Sequence, residues 1–221
     1  MNFKGFSNSF YAEVDSTPKF PLISDDALLT LIQRQTFKFF YNYAHPVSGL
    51  TRERYNSGDI VTSGGSGFGV MALIVGIERG FITRDEGITR LEKIVTFLEN
   101  ADRFHGAWSH WLNGSTGAVI PFGTKDNGGD LVETSYMAQG LITVRQYLDE
   151  NNAAEADIIN RINQLLDTIE WDWYTRGGQN VLYWHWSPNY NWDMNFQLRG
   201  YMECLITYVM AAASQTHTIA K

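Results

Sequence analysis

Apolar positions recur with a helical period in six places along the chain, and strand-like alternation is nearly absent. Ser24 is placed to cap a helix running to about Tyr43, with Leu28, Leu31, Ile32, Phe39 and Phe40 on its apolar side. A nearly unbroken apolar run, FGVMALIVGI, predicts a second helix over about Gly67–Arg79. Thr83 and Glu86 have capping-box spacing ahead of a third, about Arg84–Asn100, whose Ile88, Leu91, Val95 and Leu98 share one face. A fourth begins at Asp130 and reaches about Asp149. The fifth, about Ala154–Ile169, aligns Ile158, Ile162, Leu165 and Ile169, and the sixth spans about Phe196–Ala213.

The six alternate in character. Helices one, three and five carry a polar face, as surface helices do, whereas two, four and six are apolar or small nearly all round. The connections alternate too: GFIT and ENNA are short, and the segments entering helices two, four and six are long. Short connections make antiparallel hairpins, so the N-termini of the three buried helices open onto one face beneath the long loops. That is the layout of an all-α, α/α toroid with an inner and an outer ring; an irregular bundle is the other arrangement the pattern allows. Connections beyond about 12–15 residues are uncommon in compact domains unless functional, so a site is expected on that face. Within the second long segment, SHWLNGSTGAVIPF carries an Asn-Gly and reads as a hairpin.

The chain has 221 residues with 44% apolar and 19% charged, which supports a substantial core. The net charge is −7 and no basic stripe is present, so nucleic acid is not an expected partner. No stretch reaches membrane-spanning length, and membrane insertion is not expected. The first residues, MNFKGFSNSFYAEVD, lack the apolar core of a secretion signal. The single cysteine, Cys204, excludes an intrachain disulfide and reads as packing. Residues 1–23 read as an N-terminal extension to a domain over 24–221.

Candidate chemistry gathers in KDNGGDLVETS, residues 125–135. Asp130 is a natural N-cap with Glu133 as its third-position partner, so capping accounts for both. It leaves Asp126 unexplained, a third carboxylate across two glycines. Like charges this close raise one another's pKa, which is how a carboxyl stays protonated as a general acid. Glu203 is expected about two turns inside an apolar helix, where an ionised carboxylate is costly unless paired or used. An i,i+4 ion pair with Arg199 is the alternative there. Trp184, Trp186, Tyr190 and Trp192 lie on the segment feeding that helix, where rings suit the flat faces of sugars or pack a small core of their own. SGGSGFG lacks the lysine and preceding strand of a phosphate loop, and its glycines read as sites of close backbone approach. His105 and His110 are a weak metal signal, and no metal or cofactor is expected.

Long stretches, HPVSGLTRER, TSGGSGFGVMALIVGIERGFITR, ENADRFHGAWSHWLNG, IPFGTKDNGGDLVETSYMAQGL, EWDWYTRGGQNVLYWHWSPNYNW and FQLRGYMECLITYV, resemble the glycoamylase-like family of bacterial proteins. That family includes endo-β-1,2-glucanases common in Bacteroidetes and a domain of cyclic β-1,2-glucan synthases. The resemblance implies an (α/α)6 toroid and an inverting, metal-independent glycoside hydrolase acting on β-1,2-glucan or sophoro-oligosaccharides. It places the family's acidic candidates on Asp126, Asp130, Glu133 and Glu203; of these, apolar surroundings that raise its pKa make Glu203 the expected general acid, and Asp126, which capping does not claim, is the preferred base. It also implies a periplasmic or extracellular address. The family's ring has six hairpins and three are legible here, so the chain reads as the N-terminal half. A missing half-toroid or a second copy is therefore an expected partner, besides an oligo- or polysaccharide. A carbohydrate-binding fragment without turnover, or a glucoamylase acting on α-glucan, is the alternative function.

Overall fold

The computed structural model describes residues 14–20, 22–201 and 203–220, so the expected extension over 1–23 lies for the most part outside the described residues. Six α-helices occur among them: α1 Asp25–Tyr41, α2 Ser63–Glu78, α3 Arg84–Asn100, α4 Leu131–Tyr147, α5 Ala153–Asp167 and α6 Leu205–Ala213. Seven strands of two or three residues lie in the long connections: β1 Ile60–Thr62, β2 Arg103–Phe104, β3 Ala107–Trp108, β4 Trp111–Asn113, β5 Val119–Ile120, β6 Gly129–Asp130 and β7 His185–Trp186. They form a sheet ordered β1-β4-β5 and the pairs β2-β3 and β6-β7, all antiparallel. The β4–β5 pair is the hairpin expected around Asn113-Gly114. No helix among the described residues is long and apolar enough to cross a membrane.

Local chemistry sets several helix starts. Ser24 Oγ accepts from the Ala27 amide at 3.3 Å. Thr83 and Glu86 complete their box: Thr83 Oγ1 accepts from the Glu86 amide at 3.2 Å, and Glu86 Oε2 accepts from the Thr83 amide at 2.8 Å. Packing then sorts the helices into two rows. In the inner row α4 lies between α2 and α6; in the outer row α3 packs on α5, and α1 packs on α2. This is the arrangement of three hairpins of an α/α toroid, about half of the six-hairpin ring.

Two helices differ from expectation at their starts. The second begins at Ser63, so SGGSG is helical, although each glycine disfavours a helix interior by about 1 kcal/mol relative to alanine. The compensation is contact with α4: a Cβ at Gly67 would lie 2.2 Å from the Tyr136 carbonyl oxygen, and one at Gly140 would lie 2.3 Å from that of Gly67. The sixth helix begins at Leu205 rather than near Phe196. Residues 196–198 run extended instead, because Phe196 O accepts from the Trp184 amide and the Leu198 amide donates to Leu182 O. Gly200, at φ +90°, then separates this segment from α6.

The core lies between the rows and under the loops, with Leu73, Leu91, Leu98, Trp108, Leu131, Met137, Leu141, Ile158, Ile162 and Tyr174 fully buried. Arg103 ties the β2–β3 turn to the end of α5. Its guanidinium donates to Gly106 O, Leu165 O and Thr168 Oγ1 and lies 4.5 Å from the Trp108 ring centre. The negative end of α5 offsets the charge, yet burial still draws the Arg103 pKa down to about 10. By contrast, apolar side chains of α1 (Leu28, Leu29, Leu31, Ile32), α2 (Phe68, Val75) and α6 (Leu205, Val209) face outward.

The α2–α4 crossing generates a test. Gly67→Ala drives a methyl group into backbone that no side-chain rotation can move, and is expected to destabilise the fold by about 1–3 kcal/mol. Urea unfolding followed by circular dichroism would report a lowered midpoint; an unchanged midpoint would mean that the crossing is not the tight contact described.

Candidate active site

The long connections meet over the N-terminal end of α4. Strand β6 runs directly into that helix, so Asp130 is both a strand residue and the N-cap. Its Oδ1 accepts from the Glu133 amide at 2.9 Å, which is the expected capping bond. The buried Asp130 carboxylate also has partners that capping does not require. Oδ1 accepts from the Trp184 indole Nε1 at 2.9 Å, and Oδ2 lies 3.1 Å from His110 Nδ1. Burial opposes a charge on His110, but the hydrogen bond and negative charge of Asp130, aided by Glu133 and Asp126, outweigh it and raise the His110 pKa.

Glu133 does not turn back to Asp130 as Glu86 does to Thr83. Its Oε2 accepts from the Gly64 amide at 3.0 Å, in the first turn of α2. Thr62, the N-cap of α2, makes no side-chain cap, so Glu133 reaches across from α4 and supplies one. A Cβ at Gly64 would lie 2.3 Å from the same oxygen. Burial pushes the Glu133 pKa up to about 7, the charge of Asp130 adds to this, His110 and the Gly64 amide oppose it, and Glu203 adds a further increment.

Asp126 stands on the loop ahead of β6, its backbone closed onto Gly123 and its side chain 12% exposed. Its Oδ1 is 3.0 Å from Nε2 of the buried His185 in β7. Asp126 and Asp130, with His110, Phe122, Trp184, Met194 and Phe196, line a cleft of about 290 Å³. His110 stacks on Phe122 with ring centres 4.1 Å apart, and Trp184 meets Phe196 edge to face at 5.2 Å. The cleft thus combines carboxylates, an imidazole and aromatic faces, a set suited to acid–base chemistry on a hydroxyl-rich, flat-faced ligand. A larger groove beside α3, about 530 Å³, has no comparable convergence of acids and rings.

The structure therefore brings Asp126, Asp130, Glu133 and Trp184 together and disperses the other candidates. Trp186 and Trp192 join Trp173 in a separate aromatic cluster, in which His105 stacks on Trp173 at 3.6 Å and meets Trp186 at 4.7 Å. Tyr190 is exposed away from the cleft lining. Arg199 is exposed and donates to Gln197 Oε1 at 2.7 Å, so the ion pair with Arg199 that is the alternative reading of Glu203 is not formed. The reason is local: residues 196–201, 203 and 204 are not helical, so Arg199 and Glu203 do not share a helix face. Glu203 is for the same reason on an exposed turn before α6, not inside a buried helix. It remains near the cluster, since its carbonyl accepts from Tyr136 Oη at 3.2 Å and its charge bears on Glu133. His110, Phe122, Met194 and Phe196 were not singled out as cleft residues by pattern. For His110 the one available signal was its place at the hairpin entry, five residues after His105.

The raised Glu133 pKa predicts how stability varies with pH. In the unfolded chain this carboxyl ionises near its ordinary value of 4.5, whereas in the fold it does so near 7. Its contribution is fully present below pH 4.5 and is lost as pH rises through 7, by about 2–4 kcal/mol. His110, also raised, loses its contribution in the same direction above its unfolded value of 6.5. Glu133→Gln keeps an acceptor for the Gly64 amide and removes the ionisation. Unfolding free energies measured from pH 5 to 8 should fall for the parent protein and flatten for the variant; parallel curves would remove Glu133 as the titrating group.

No family model matches the chain. A curated exo-β-1,2-glucooligosaccharide sophorohydrolase (non-reducing end) of Parabacteroides distasonis is 46% identical over 208 residues, which cover 93% of this chain and 29% of that protein. The crystallised endo-β-1,2-glucanase of Chitinophaga pinensis, in complex with sophorotriose and glucose, is 59% identical with a TM-score of 0.88, covering 90% of this chain and 49% of that one. The β-1,2-glucanase structure from Parabacteroides distasonis is 46% identical, also at a TM-score of 0.88, with 90% and 29% covered. The chain thus spans between about a third and a half of the length of these proteins. At these identities, with the fold shared over nine-tenths of its length, the chain is homologous to part of these bacterial β-1,2-glucanases.

Proposed function

We propose that the protein is a glycoside hydrolase of β-glucan, with β-1,2-glucan or sophoro-oligosaccharides as substrate. One observation carries this reading: Glu133, a carboxyl whose pKa lies near 7, stands next to Asp130, which with Asp126 lines an aromatic-walled cleft. Acid–base catalysis works best when the donor's pKa lies near the working pH. Inverting hydrolysis needs one protonated carboxyl at the glycosidic oxygen and one carboxylate activating water, about 6.5–9.5 Å apart. The acid role expected of Glu203 rested on burial that the exposed turn does not provide, so we place it on Glu133. Asp126 takes the base role, since Asp130 is occupied by the Glu133 amide, Trp184 and His110. Trp184 supplies the ring beside the sugar, and Glu203 adds charge at the rim of the group. The names of the relatives support the β-1,2 linkage.

The outward apolar side chains of α1, α2 and α6 support a second component of the proposal. Such surface marks an interface. It is covered either by the complementary half of a toroid or by a second copy related by a two-fold axis.

Incubation with β-1,2-glucan, starch and other glucans, followed by reducing-end assay, tests the activity. The expected result is cleavage of β-1,2-glucan alone, reduced about 100-fold or more by Glu133→Gln and by Asp126→Asn. Cleavage of starch with β-1,2-glucan untouched overturns the substrate; binding without products makes the chain a carbohydrate-binding module. A larger loss in Glu203→Gln than in Glu133→Gln would return the acid role to Glu203. For the assembly, size-exclusion chromatography with light scattering should give about twice the 25.1 kDa chain mass for the protein alone. A stable monomer would show that these flanks are not a self-association surface.

A further inference from the structure

His185 is 3% exposed, and both ring nitrogens are buried without an aligned hydrogen-bond partner among the described residues. A buried polar group left in that condition calls for an explanation. The nearest is Asp126: Nε2 lies 3.0 Å from Oδ1, within pairing distance but off the line of the ring N–H.

The surroundings hold this juxtaposition from three sides. In the β6–β7 pair, Asp130 stands opposite His185 and Gly129 opposite Trp186. A Cβ at Gly128 would lie 2.1 Å from the Trp186 carbonyl oxygen, so the loop carrying Asp126 presses directly on β7. Asn127, the next residue after Asp126, accepts from Ser187 Oγ at 2.5 Å and donates to Asn189 Oδ1 at 2.7 Å. The stretch 126–130 is therefore stitched along 185–189, and the imidazole lies behind the Asp126 carboxylate while Asp126 itself borders the cleft.

We propose that His185 is a positioning residue that fixes the Asp126 carboxylate toward the cleft, a role resting on the hydrolase reading given above. With a proton on Nε2, the ring donates to Oδ1 and leaves Oδ2 as the oxygen free to face a water molecule. A small rotation of the Asp126 side chain aligns the bond. The ring does not touch the cleft and takes no part in bond making or breaking.

Two measurements on the 221-residue chain test this. In the first, the ¹⁵N resonances of the His185 imidazole are compared between the parent protein and Asp126→Asn at fixed pH. The proposal expects both ring nitrogens to shift; unchanged resonances overturn it whether or not the protein is active. In the second, His185→Phe is expected to lower kcat on β-1,2-glucan by up to about 100-fold, the effect of misplacing a reacting group by about an ångström, with KM within about threefold. His185→Gln, whose amide still donates, is expected to recover part of that loss. Unaltered kcat in His185→Phe overturns the positioning role. If the resonances shift but the parent protein hydrolyses no glucan, the His185–Asp126 pair stands and the hydrolase reading fails. Should His185→Phe not fold, the resonance comparison and the glutamine variant still decide.

Discussion

The close approach of α2 to α4 is the contact on which the rest of the structure depends. Gly67 and Gly140 bring the two helix backbones to a separation that a single Cβ would forbid at either position. That separation sets the two N-termini side by side at the loop end of the fold. It is therefore what allows a glutamate in the first turn of α4 to reach the amide of Gly64 in the first turn of α2. The helix crossing and the candidate active site are one feature, seen at two heights along the same pair of helices.

Asp130 then organises the charges above that crossing. A lone N-cap carboxylate would be satisfied by the amide of its own helix. Here the same group also accepts from Trp184 and pairs with His110, which draws two separate long connections onto the start of α4. Its negative charge raises the pKa of Glu133 next to it, while His110 and the Gly64 amide restrain the rise. Burial, one anion, one imidazole and one helix terminus together leave Glu133 close to neutrality, whereas Asp126 lies on the cleft wall beyond them.

The short strands have a related purpose. None exceeds three residues, and each joins one part of a long loop to another or to a helix start. The pair β6–β7 fastens the loop before α6 to the residue that caps α4, and Arg103 fastens the β2–β3 turn to the end of α5. Loops tied at so many points hold side chains nearly as firmly as helices do, which a site built from two separate connections requires.

Much of this architecture was legible in the sequence, and the limits follow from distance along the chain. Periodicity and connection length by themselves determined six helices, their two kinds, the end at which the loops gather and the hairpin at Asn113-Gly114. These depend on residues within a few positions of one another. Spacing likewise marked Asp130 as a cap and Asp126 as a carboxylate with no capping duty. Only the tertiary structure decided that Ser63–Gly67 is helical, because the glycines are compensated by a helix more than sixty positions away. It decided as well that residues 196–198 run extended, since their partners are the backbone of 182–184, and this moved Glu203 from an expected interior to an exposed turn. It assigned Glu133 to Gly64 rather than to its own cap, and it brought His110 and His185 to carboxylates that local spacing does not link to them. Local patterning reports which segments can become helices; whether a carboxylate is buried, paired or free depends on desolvation and partners that arrive from elsewhere in the chain.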